Sequence, residues 1–287
     1  MSGAEKTAVL CANAKINLWL EITGRRADGY HLIETVMQSV DLCDVVTVSI
    51  GGGEGEISVG CSDPLIPSGK DNICFKAATS FLKAAEKPVG RVSVFIEKRI
   101  PSGAGLGGGS ADAAAVLCGL NALYGEPLDE GRLLEAAAAV GADVPFCCVG
   151  GTRLCRGIGE IMLPVEPLTE GAFLVVMPSF ACGTAEAYAL YDKNPPPRRL
   201  FPDVTARRLF GGMMYNVFEA LYADPRIEQI KSRLLSAGAG CAMLTGSGSA
   251  VFGTFSDEVA AARAAGELAG LFAAVCRPTS RGIVEVS

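Results

Sequence analysis

Residues 101–115 read PSGAGLGGGSADAAA and place five glycines within seven positions, 103–109, directly ahead of an alanine-rich run. Glycine lets the backbone adopt left-handed turns and lets a ligand approach without interference from side chains. The free amide groups and the dipole at the beginning of a helix attract anions. We therefore predict a loop that wraps phosphate and leads into a helix over about 110–124, with Ser110 as its N-cap.

Two familiar glycine motifs describe this loop poorly. Residues 103–108 satisfy G-x-G-x-x-G, but the acidic residue that a dinucleotide fold places about 20 positions later falls here in a turn between two predicted helices. The Gly-Lys-Ser/Thr end of a P-loop is missing from the stretch. A merely tight loop stays open as an alternative. A second turn, 246–248, either closes on the same phosphates or is only a hairpin turn.

The composition is that of a globular protein and narrows the classes of function. With 25 Lys and Arg against 31 Asp and Glu, the net charge of −6 argues against nucleic acid as a main partner. The 11 cysteines include no CxxC pair and are expected to be reduced and buried. A single histidine, His31, makes a Ser-His-Asp triad or a zinc site hard to assemble, and no metal site made of side chains is predicted. Since the sequence shows no signal peptide and no long apolar run, we expect a cytoplasmic protein that does not bind membranes.

Strand and helix patterns are mixed along the whole chain and predict an α+β fold. Residues 8–23 alternate in the manner of a strand, which places Lys15 and Asn17 on one face. Two further strands are expected around the second glycine turn. Helical spacing predicts additional helices over about 71–86, 129–140, 183–192, 204–222 and 225–237. Asp129 and either Asp71 or Asn72 are the candidate N-caps for two of them.

The chain of 287 residues is long enough for two domains. The pattern breaks at MLPVEPLTEG, residues 162–171, where two prolines and a glycine interrupt it. We therefore predict domains at 1–164 and 165–287. In the second domain, three consecutive prolines at 195–197 exclude helix and sheet interior and predict an exposed loop.

Three segments together resemble the motifs of the GHMP kinases, the superfamily of galacto-, homoserine, mevalonate and phosphomevalonate kinases. They are AKINLWLEITGRRADGYH at 14–31, PSGAGLGGGSADAAA at 101–115 and LTGSGSAVFGTF at 244–255. Within that superfamily, the first segment and GADVPFCCVGGTRLCRGIGE at 141–160 resemble the kinases that act on 4-diphosphocytidyl-2-C-methyl-D-erythritol. The resemblance runs from about residue 12 to 255.

The resemblance implies a fold and a reaction. The expected fold is a two-domain GHMP kinase fold, with an N-terminal domain like ribosomal protein S5 domain 2 and a ferredoxin-like C-terminal domain. The implied reaction moves the γ-phosphoryl group of ATP to the 2-hydroxyl of 4-diphosphocytidyl-2-C-methyl-D-erythritol, in the non-mevalonate route to isoprenoid precursors. A monomer or weak homodimer is expected.

The resemblance also implies roles for individual residues. Asp143 would accept the proton of the hydroxyl, and Lys15 would favour the alkoxide and offset charge on the γ-phosphate. The implied substrate-binding residues are Asn17 at the hydroxyl, Tyr30, His31 and Tyr188 around the cytosine, and Thr184 in the same pocket. The implied ATP-binding residues are Pro101, Ser102, Gly103, Ala104, Gly105, Leu106, Gly107, Gly108, Gly109, Ser110, Ala111, Asn72, Lys98, Gly246 and Ser247.

Mg²⁺ is expected alongside ATP because the phosphates need charge neutralisation. The Ser110 hydroxyl is one candidate ligand. Asp112, in the first turn of the helix, either binds the ion through water or complements the helix dipole. Many relatives carry serine where this chain has Ala111, so backbone amides must provide more of the phosphate contacts here. Two other functions stay open: a GHMP kinase for another alcohol, and a phosphate-binding module without catalysis.

Overall fold

The computed structural model describes residues 5–51, 55–88, 90–180, 182–222, 224–268 and 270–286. Its strands are β1 (Lys6–Arg25), β2 (His31–Gly51), β3 (Ile57–Cys61), β4 (Arg91–Glu97), β5 (Thr152–Arg156), β6 (Ile161–Pro164), β7 (Ala172–Met177), β8 (Tyr215–Asn216), β9 (Cys241–Leu244), β10 (Val251–Phe255), β11 (Phe272–Cys276) and β12 (Ile283–Glu285). Its helices are α1 (Ile73–Ala84), α2 (Gly108–Leu123), α3 (Glu130–Ala138), α4 (Val144–Val149), α5 (Thr184–Lys193), α6 (Ala206–Arg208), α7 (Pro225–Ser236) and α8 (Glu258–Glu267).

The first sheet is organised by one long hairpin, in which β1 and β2 pair antiparallel over most of their length. The strand order is β12-β1-β2-β4-β3. Strand β5 pairs with residues 35–38 in the N-terminal half of β2, β6 pairs with β5, and β8 lies parallel to β1. The register shifts between Asn13 and Ala14 and again between Asn17 and Trp19. Such bulges bend a strand and change the direction of its side chains. The two bulges therefore bracket the segment that contains Lys15.

Helices α1 to α4 cover this sheet and enclose its core. Phe81 of α1, Phe146 of α4 and Ile96 of β4 are among the largest fully buried side chains. The alanines of α2 are buried along most of its length, and a Cβ at Gly119 would lie 2.7 Å from Leu10 Cδ1. Small side chains thus let α2 pack closely on β1, which positions the beginning of α2 beside Lys15.

The second sheet is antiparallel, with the order β11-β7-β10-β9. Helices α7 and α8 pack on it, with Leu234 and Ala261 fully buried in the same core as Phe252. The two sheets with their helices confirm the predicted α+β class. Asn72 and Asp129 cap α1 and α3 through their side chains, accepting hydrogen bonds from the amides of Cys74 and Arg132, as the sequence predicts.

The helix predicted over 204–222 is wrong. That stretch contains the short α6, a wide π-type turn over Leu209–Met213, strand β8 and a 3₁₀ turn over Val217–Ala220. Gly212 has a φ of +125°, which ends the helix. Tyr215 and Asn216 then pair with Trp19 and Leu20 of β1, a long-range contact that local helical spacing does not reveal.

The domain boundary at 164/165 stays a prediction, although the sheets do not follow it throughout. Strands β8 and β12, both beyond residue 165, pair with β1 in the first sheet. All eleven cysteines are free thiols, each buried or half-buried. Within the described ranges, no helix combines the length and the apolar character needed to cross a membrane.

Candidate active site

Backbone hydrogen bonds connect the three motif segments to one another. The amide of Lys15 in β1 donates to the carbonyl of Leu106 in the glycine loop at 2.9 Å. The amide of Ala250, which precedes β10, donates to the carbonyl of Ala104 at 3.1 Å. The glycine loop is therefore held on one side by the first sheet and on the other by the turn of the second sheet.

Asn17 contributes a side-chain connection at the same place. Its Oδ1 accepts hydrogen bonds from Lys15 Nζ at 2.9 Å and from the amide of Gly246 at 3.0 Å. Its Nδ2 donates to Thr35 Oγ1 at 2.9 Å. The substrate contact of Asn17 stays a prediction, although the residue lines the cleft. The buried position of Asn17 makes it a support for Lys15 as well.

Two glycines of the loop are required by packing within the protein. Gly105 and Gly107 have φ values of +76° and +72°. A Cβ at Gly105 would lie 2.2 Å from the carbonyl oxygen of Thr245, and one at Gly107 would lie 2.9 Å from Lys15 Cγ. The sequence alone suggests that all five glycines are there so that the ligand can approach the backbone. For Gly105 and Gly107 this interpretation is incomplete. They are glycine because neighbouring motifs lie against them.

The glycine loop leads directly into α2, as predicted, but Ser110 is not its N-cap. The helix begins at Gly108, the cap is Gly107, and no side chain caps the first turn. The amide of Ala111 already donates to Gly107, so the amides of residues 108–110 lack intrahelical acceptors. Ala111 itself is fully buried. These three amides, together with the helix dipole, place partial positive charge at the beginning of α2.

This end of α2 opens into a cleft of about 470 Å³. Lys15 Nζ and Asp143 Oδ2 lie 3.5 Å apart in its wall, with side chains 6% and 29% exposed. Asp143 is the residue immediately before α4, so its carboxylate faces the cleft from a helix end. The cleft is lined by many of the residues that the resemblance implied, namely Lys15, Asn17, Asn72, Lys98, every residue of 101–110, Asp143, Thr184, Tyr188, Gly246 and Ser247.

Lys98 lies between two carboxylates at the entrance to the glycine loop. Its Nζ contacts Asp44 and lies 2.8 Å from Asp112 Oδ2 in the first turn of α2. Asp44 also accepts hydrogen bonds from the amides of Arg99 and Ile100, at 2.6 and 2.8 Å. Asp44 thus fixes the end of β4 and directs Lys98 towards α2. Lys98 lines the cleft, but its ammonium group is already paired with carboxylates in this structure.

Burial, reinforced by the negative charge of Asp44 and opposed by Lys98, raises the pKa of Asp112 to about 7. Burial alone would lower the pKa of Lys98, but the charges of Asp112 and Asp44 outweigh it and raise the pKa. Among the residues that the structure describes, buried Asp112 Oδ1 has no hydrogen-bond partner. The carboxylate therefore does more than complement the helix dipole, because it is part of a buried charge cluster below the cleft.

Asn72, implied for ATP, lies in the cleft wall but is engaged in local structure. Its Oδ1 caps α1, and its Nδ2 donates to the carbonyl of Pro67 at 2.8 Å. In this way Asn72 positions residues 66 and 67, which also line the cleft.

A second cavity of about 670 Å³ adjoins the cleft. Tyr30 and His31 line it, and it shares Ser110, Asp143, Thr184 and Tyr188 with the cleft. The rings of His31 and Tyr188 stack with centroids 4.6 Å apart and an interplanar angle of 24°. Tyr30 is 60% exposed. The predicted aromatic residues are therefore brought together, but His31, not Tyr30, is the ring that lies against Tyr188.

Sequence reasoning missed several residues that build the site. Asn216 Nδ2 donates to the carbonyls of Leu244 and Gly246, both at 2.9 Å, and so supports the second glycine turn. Thr245 Oγ1 accepts from the amide of Asn17 at 3.1 Å. Asp44 supports the first loop as described above. Asn216 and Asp44 are polar residues in largely apolar sequence, and this was the available signal of their supporting role. Their hydrogen-bond partners are distant in sequence and could not be inferred from it.

Comparison with known proteins agrees with this architecture. Residues 72–151 match the GHMP kinases N terminal domain, and residues 204–274 match the GHMP kinases C terminal domain. A homoserine kinase from Cytophaga hutchinsonii is similar in fold, with a TM-score of 0.76 at 17% identity over 98% of this chain and 97% of that one. The two domains and the fold are therefore those of a GHMP kinase.

More specific similarity comes from one group of these enzymes. The 4-diphosphocytidyl-2-C-methyl-D-erythritol kinase of Syntrophomonas wolfei is 39% identical over 90% of this chain and 93% of its own length. The one from Citrifermentans bemidjiense is 39% identical over 95% and 99%. A crystal structure of 4-(cytidine 5'-diphospho)-2C-methyl-D-erythritol kinase has a TM-score of 0.77 at 32% identity, over 96% of this chain and all of that one. The chain belongs to the 4-diphosphocytidyl-2-C-methyl-D-erythritol kinase family.

We expect Gly105→Ala to lower thermal stability and to abolish ATP binding. The new methyl group would meet the Thr245 carbonyl at 2.2 Å in a backbone conformation that alanine rarely adopts. Gly109→Ala is the matched control, because its Cβ would meet only Ile73 Cγ2 at 3.8 Å in an ordinary helical position. Thermal unfolding of both variants tests the packing requirement. Equal melting temperatures for Gly105→Ala and Gly109→Ala would contradict it.

The raised pKa of Asp112 predicts a pH-dependent stability. The folded protein keeps a proton on Asp112 between its ordinary pKa of 3.8 and about 7, whereas the unfolded chain has lost it. The stabilising contribution is therefore present at low pH and is lost as the pH rises through 7. When the pH is raised from about 5 to about 7.5, the free energy of unfolding measured in urea should fall more in wild type than in Asp112→Asn. The difference between the two falls should be on the order of 2 kcal/mol. A pH-independent difference between the two proteins would contradict this assignment.

Proposed function

We propose that this chain transfers the γ-phosphoryl group of ATP to the 2-hydroxyl of 4-diphosphocytidyl-2-C-methyl-D-erythritol. The products are the 2-phosphate and ADP, and the reaction belongs to the non-mevalonate route to isoprenoid precursors. One observation carries the proposal. Asp143, 3.5 Å from Lys15 in the wall of the cleft, also lines the second cavity. We call this second cavity the aromatic cavity because Tyr30, His31 and Tyr188 line it.

Phosphoryl transfer depends on positioning and on stabilisation of charge more than on covalent chemistry. The amides of residues 108–110 and the dipole of α2 provide fixed partial positive charge for the triphosphate. Lys15 adds a full positive charge beside the beginning of α2 and is held in place by Asn17. A protein of net charge −6 can bind a polyanion in this way because these charges and dipoles are local and directed.

Asp143 is the proposed base. Its carboxylate accepts the proton of the 2-hydroxyl as the hydroxyl oxygen forms a bond to the γ-phosphorus. The bond from that phosphorus to the bridging oxygen breaks at the same time, and ADP leaves with the electron pair. Lys15, beside the carboxylate, stabilises negative charge on the attacking oxygen and on the transferred group. Asn17, which also lines the cleft, is the proposed contact for the hydroxyl.

Mg²⁺ is proposed as the companion of ATP, and the residues at the beginning of α2 fit such an ion. In the described part of the chain, no three His, Cys, Asp or Glu side chains gather as a metal site. The Ser110 hydroxyl in the cleft and the unpartnered Asp112 Oδ1 are oxygen donors, which suit this hard cation. When bound, Mg²⁺ would neutralise charge on the phosphates. Ser110 would hold it directly and Asp112 through water.

The cytidine end of the substrate is assigned to the second cavity. Tyr30, His31 and Tyr188 line it, and His31 and Tyr188 stack on each other. The exposed ring of Tyr30 offers a face to the base, and stacking of a base on an aromatic ring is worth roughly 1–3 kcal/mol in single-strand binders. Thr184 Oγ1 lies 3.1 Å from Ser247 Oγ, which connects this cavity to the second glycine turn. We further propose that the enzyme acts in the cytoplasm, as a monomer or weak homodimer.

ADP release with Mg-ATP tests the proposed function directly. Turnover with 4-diphosphocytidyl-2-C-methyl-D-erythritol is expected, and turnover with homoserine or mevalonate is not, because neither carries a base for the aromatic cavity. Preferential turnover of homoserine or mevalonate would favour another GHMP activity. ATP binding without turnover of any of the three alcohols would favour a non-catalytic phosphate-binding module.

Asp143→Asn should reduce kcat by roughly 10²- to 10⁴-fold, since the proton acceptor is removed while the shape of the cleft is kept. The dissociation constants for ATP and substrate should change little, which calorimetry can measure alongside steady-state rates. Asp203→Asn is the matched control, because Asp203 is an exposed carboxylate outside both cavities. A variant at position 143 with near wild-type kcat would refute the assignment of the base.

A further inference from the structure

One carboxylate on α5 holds both strands at the end of the β1–β2 hairpin. Arg25 and His31 form the last residue pair of that hairpin. Asp192 lies 2.7 Å from His31 Nε2 through its Oδ1 and 3.3 Å from Arg25 Nη1 through its Oδ2. Arg25 Nε in turn donates to the carbonyl of Gly29 at 3.1 Å. Asp192 therefore connects α5, which carries Tyr188, to the turn that carries Tyr30.

The His31 ring is constrained on several sides. Its face stacks on Tyr188, the ring of Tyr191 stands at 89° to it with centroids 6.0 Å apart, and Nε2 meets Asp192. No hydrogen bond to Nδ1 occurs within the described ranges. The His31 side chain is only 10% exposed and lines the cavity assigned to cytidine. The ring thus has a fixed orientation and one nitrogen without a protein partner.

The carboxylate also decides where the proton of the neutral ring resides. The hydrogen bond from His31 holds the pKa of Asp192 below its usual value, so this group is an ionised acceptor. An acceptor opposite Nε2 requires hydrogen on Nε2, and in the neutral imidazole Nδ1 then carries a lone pair. Such a lone pair accepts a hydrogen bond from an amino group and repels a carbonyl oxygen. Cytosine presents an amino group at the position where uracil presents a carbonyl.

We propose that Asp192 is a positioning residue that makes this enzyme select cytosine over uracil, by holding His31 in the tautomer whose Nδ1 accepts a hydrogen bond from the base. The proposal rests on the proposed function, which gives the substrate its cytidine diphosphate group. Asp192 does not need to touch the substrate. It acts through the orientation and the tautomer of His31.

The test compares the dissociation constants of CDP and UDP, measured by calorimetry on the full chain. Asp192→Asn replaces an acceptor-only group with an amide that can accept from or donate to Nε2, so both tautomers of His31 become available. We expect the preference for CDP over UDP to fall about five- to tenfold, as for the loss of one hydrogen bond. Asp192→Glu keeps an acceptor-only carboxylate and should restore part of the preference. The KM for ATP should not change in either variant.

Glu186→Gln is the control, because it removes one negative charge from the same helix at an exposed position. It should leave the CDP-to-UDP ratio at the wild-type value. A merely structural role for Asp192 predicts equal weakening of CDP and UDP in Asp192→Asn, and that result would overturn the proposal. An unchanged ratio would overturn it as well.

The proposed function can fail separately from this inference. If wild type turns over the cytidylyl substrate but Asp192→Asn keeps the full CDP preference, only the role of Asp192 is lost. If wild type neither binds CDP nor turns over that substrate, the proposed function and the inference both fall.

Discussion

The amide oxygen of Asn17 is the point on which the site depends. It accepts one hydrogen bond from Lys15 Nζ on the same strand and another from the amide of Gly246 in the turn of the second sheet. The carbonyl of Leu106 binds the backbone of Lys15 from the glycine loop. Buried hydrogen bonds of this kind are costly to leave unmade. Lys15, the glycine loop and the second glycine turn are therefore held together as one unit.

In this acidic protein, the positive potential that a phosphate group would meet comes from a few local charges and dipoles at the cleft. The cleft concentrates backbone dipoles at the beginning of α2 and places Lys15 beside them. The other cationic group, Lys98, is neutralised by Asp44 and Asp112 and serves the geometry of the loop. Lys15 therefore supplies charge to the cleft, whereas Lys98 balances the buried carboxylates of Asp44 and Asp112. This division lets acidic residues lie close to a site proposed for an anion.

Much of this site could be predicted because its signals are local. The run of glycines ahead of alanines identifies the loop and α2, and the spacing of Lys15 and Asn17 places both on one strand face. The helix predicted over 204–222 failed because pairing of Tyr215 and Asn216 with β1 outweighed local spacing. The assignment of Ser110 as a cap failed because Gly107, with its positive φ, begins the helix one turn earlier.

By itself, the sequence determined the α+β class, the phosphate loop and the resemblance to GHMP kinases, since periodicity, turn residues and motif spacing act over a few residues. Only the tertiary structure decided why Gly105 and Gly107 must be glycine, how Asp44 and Asn216 support the two turns, and that Asp192 holds His31. Each of these is a contact between segments far apart in sequence. Such contacts depend on distances that arise when the sheets and helices pack, and no local pattern encodes those distances.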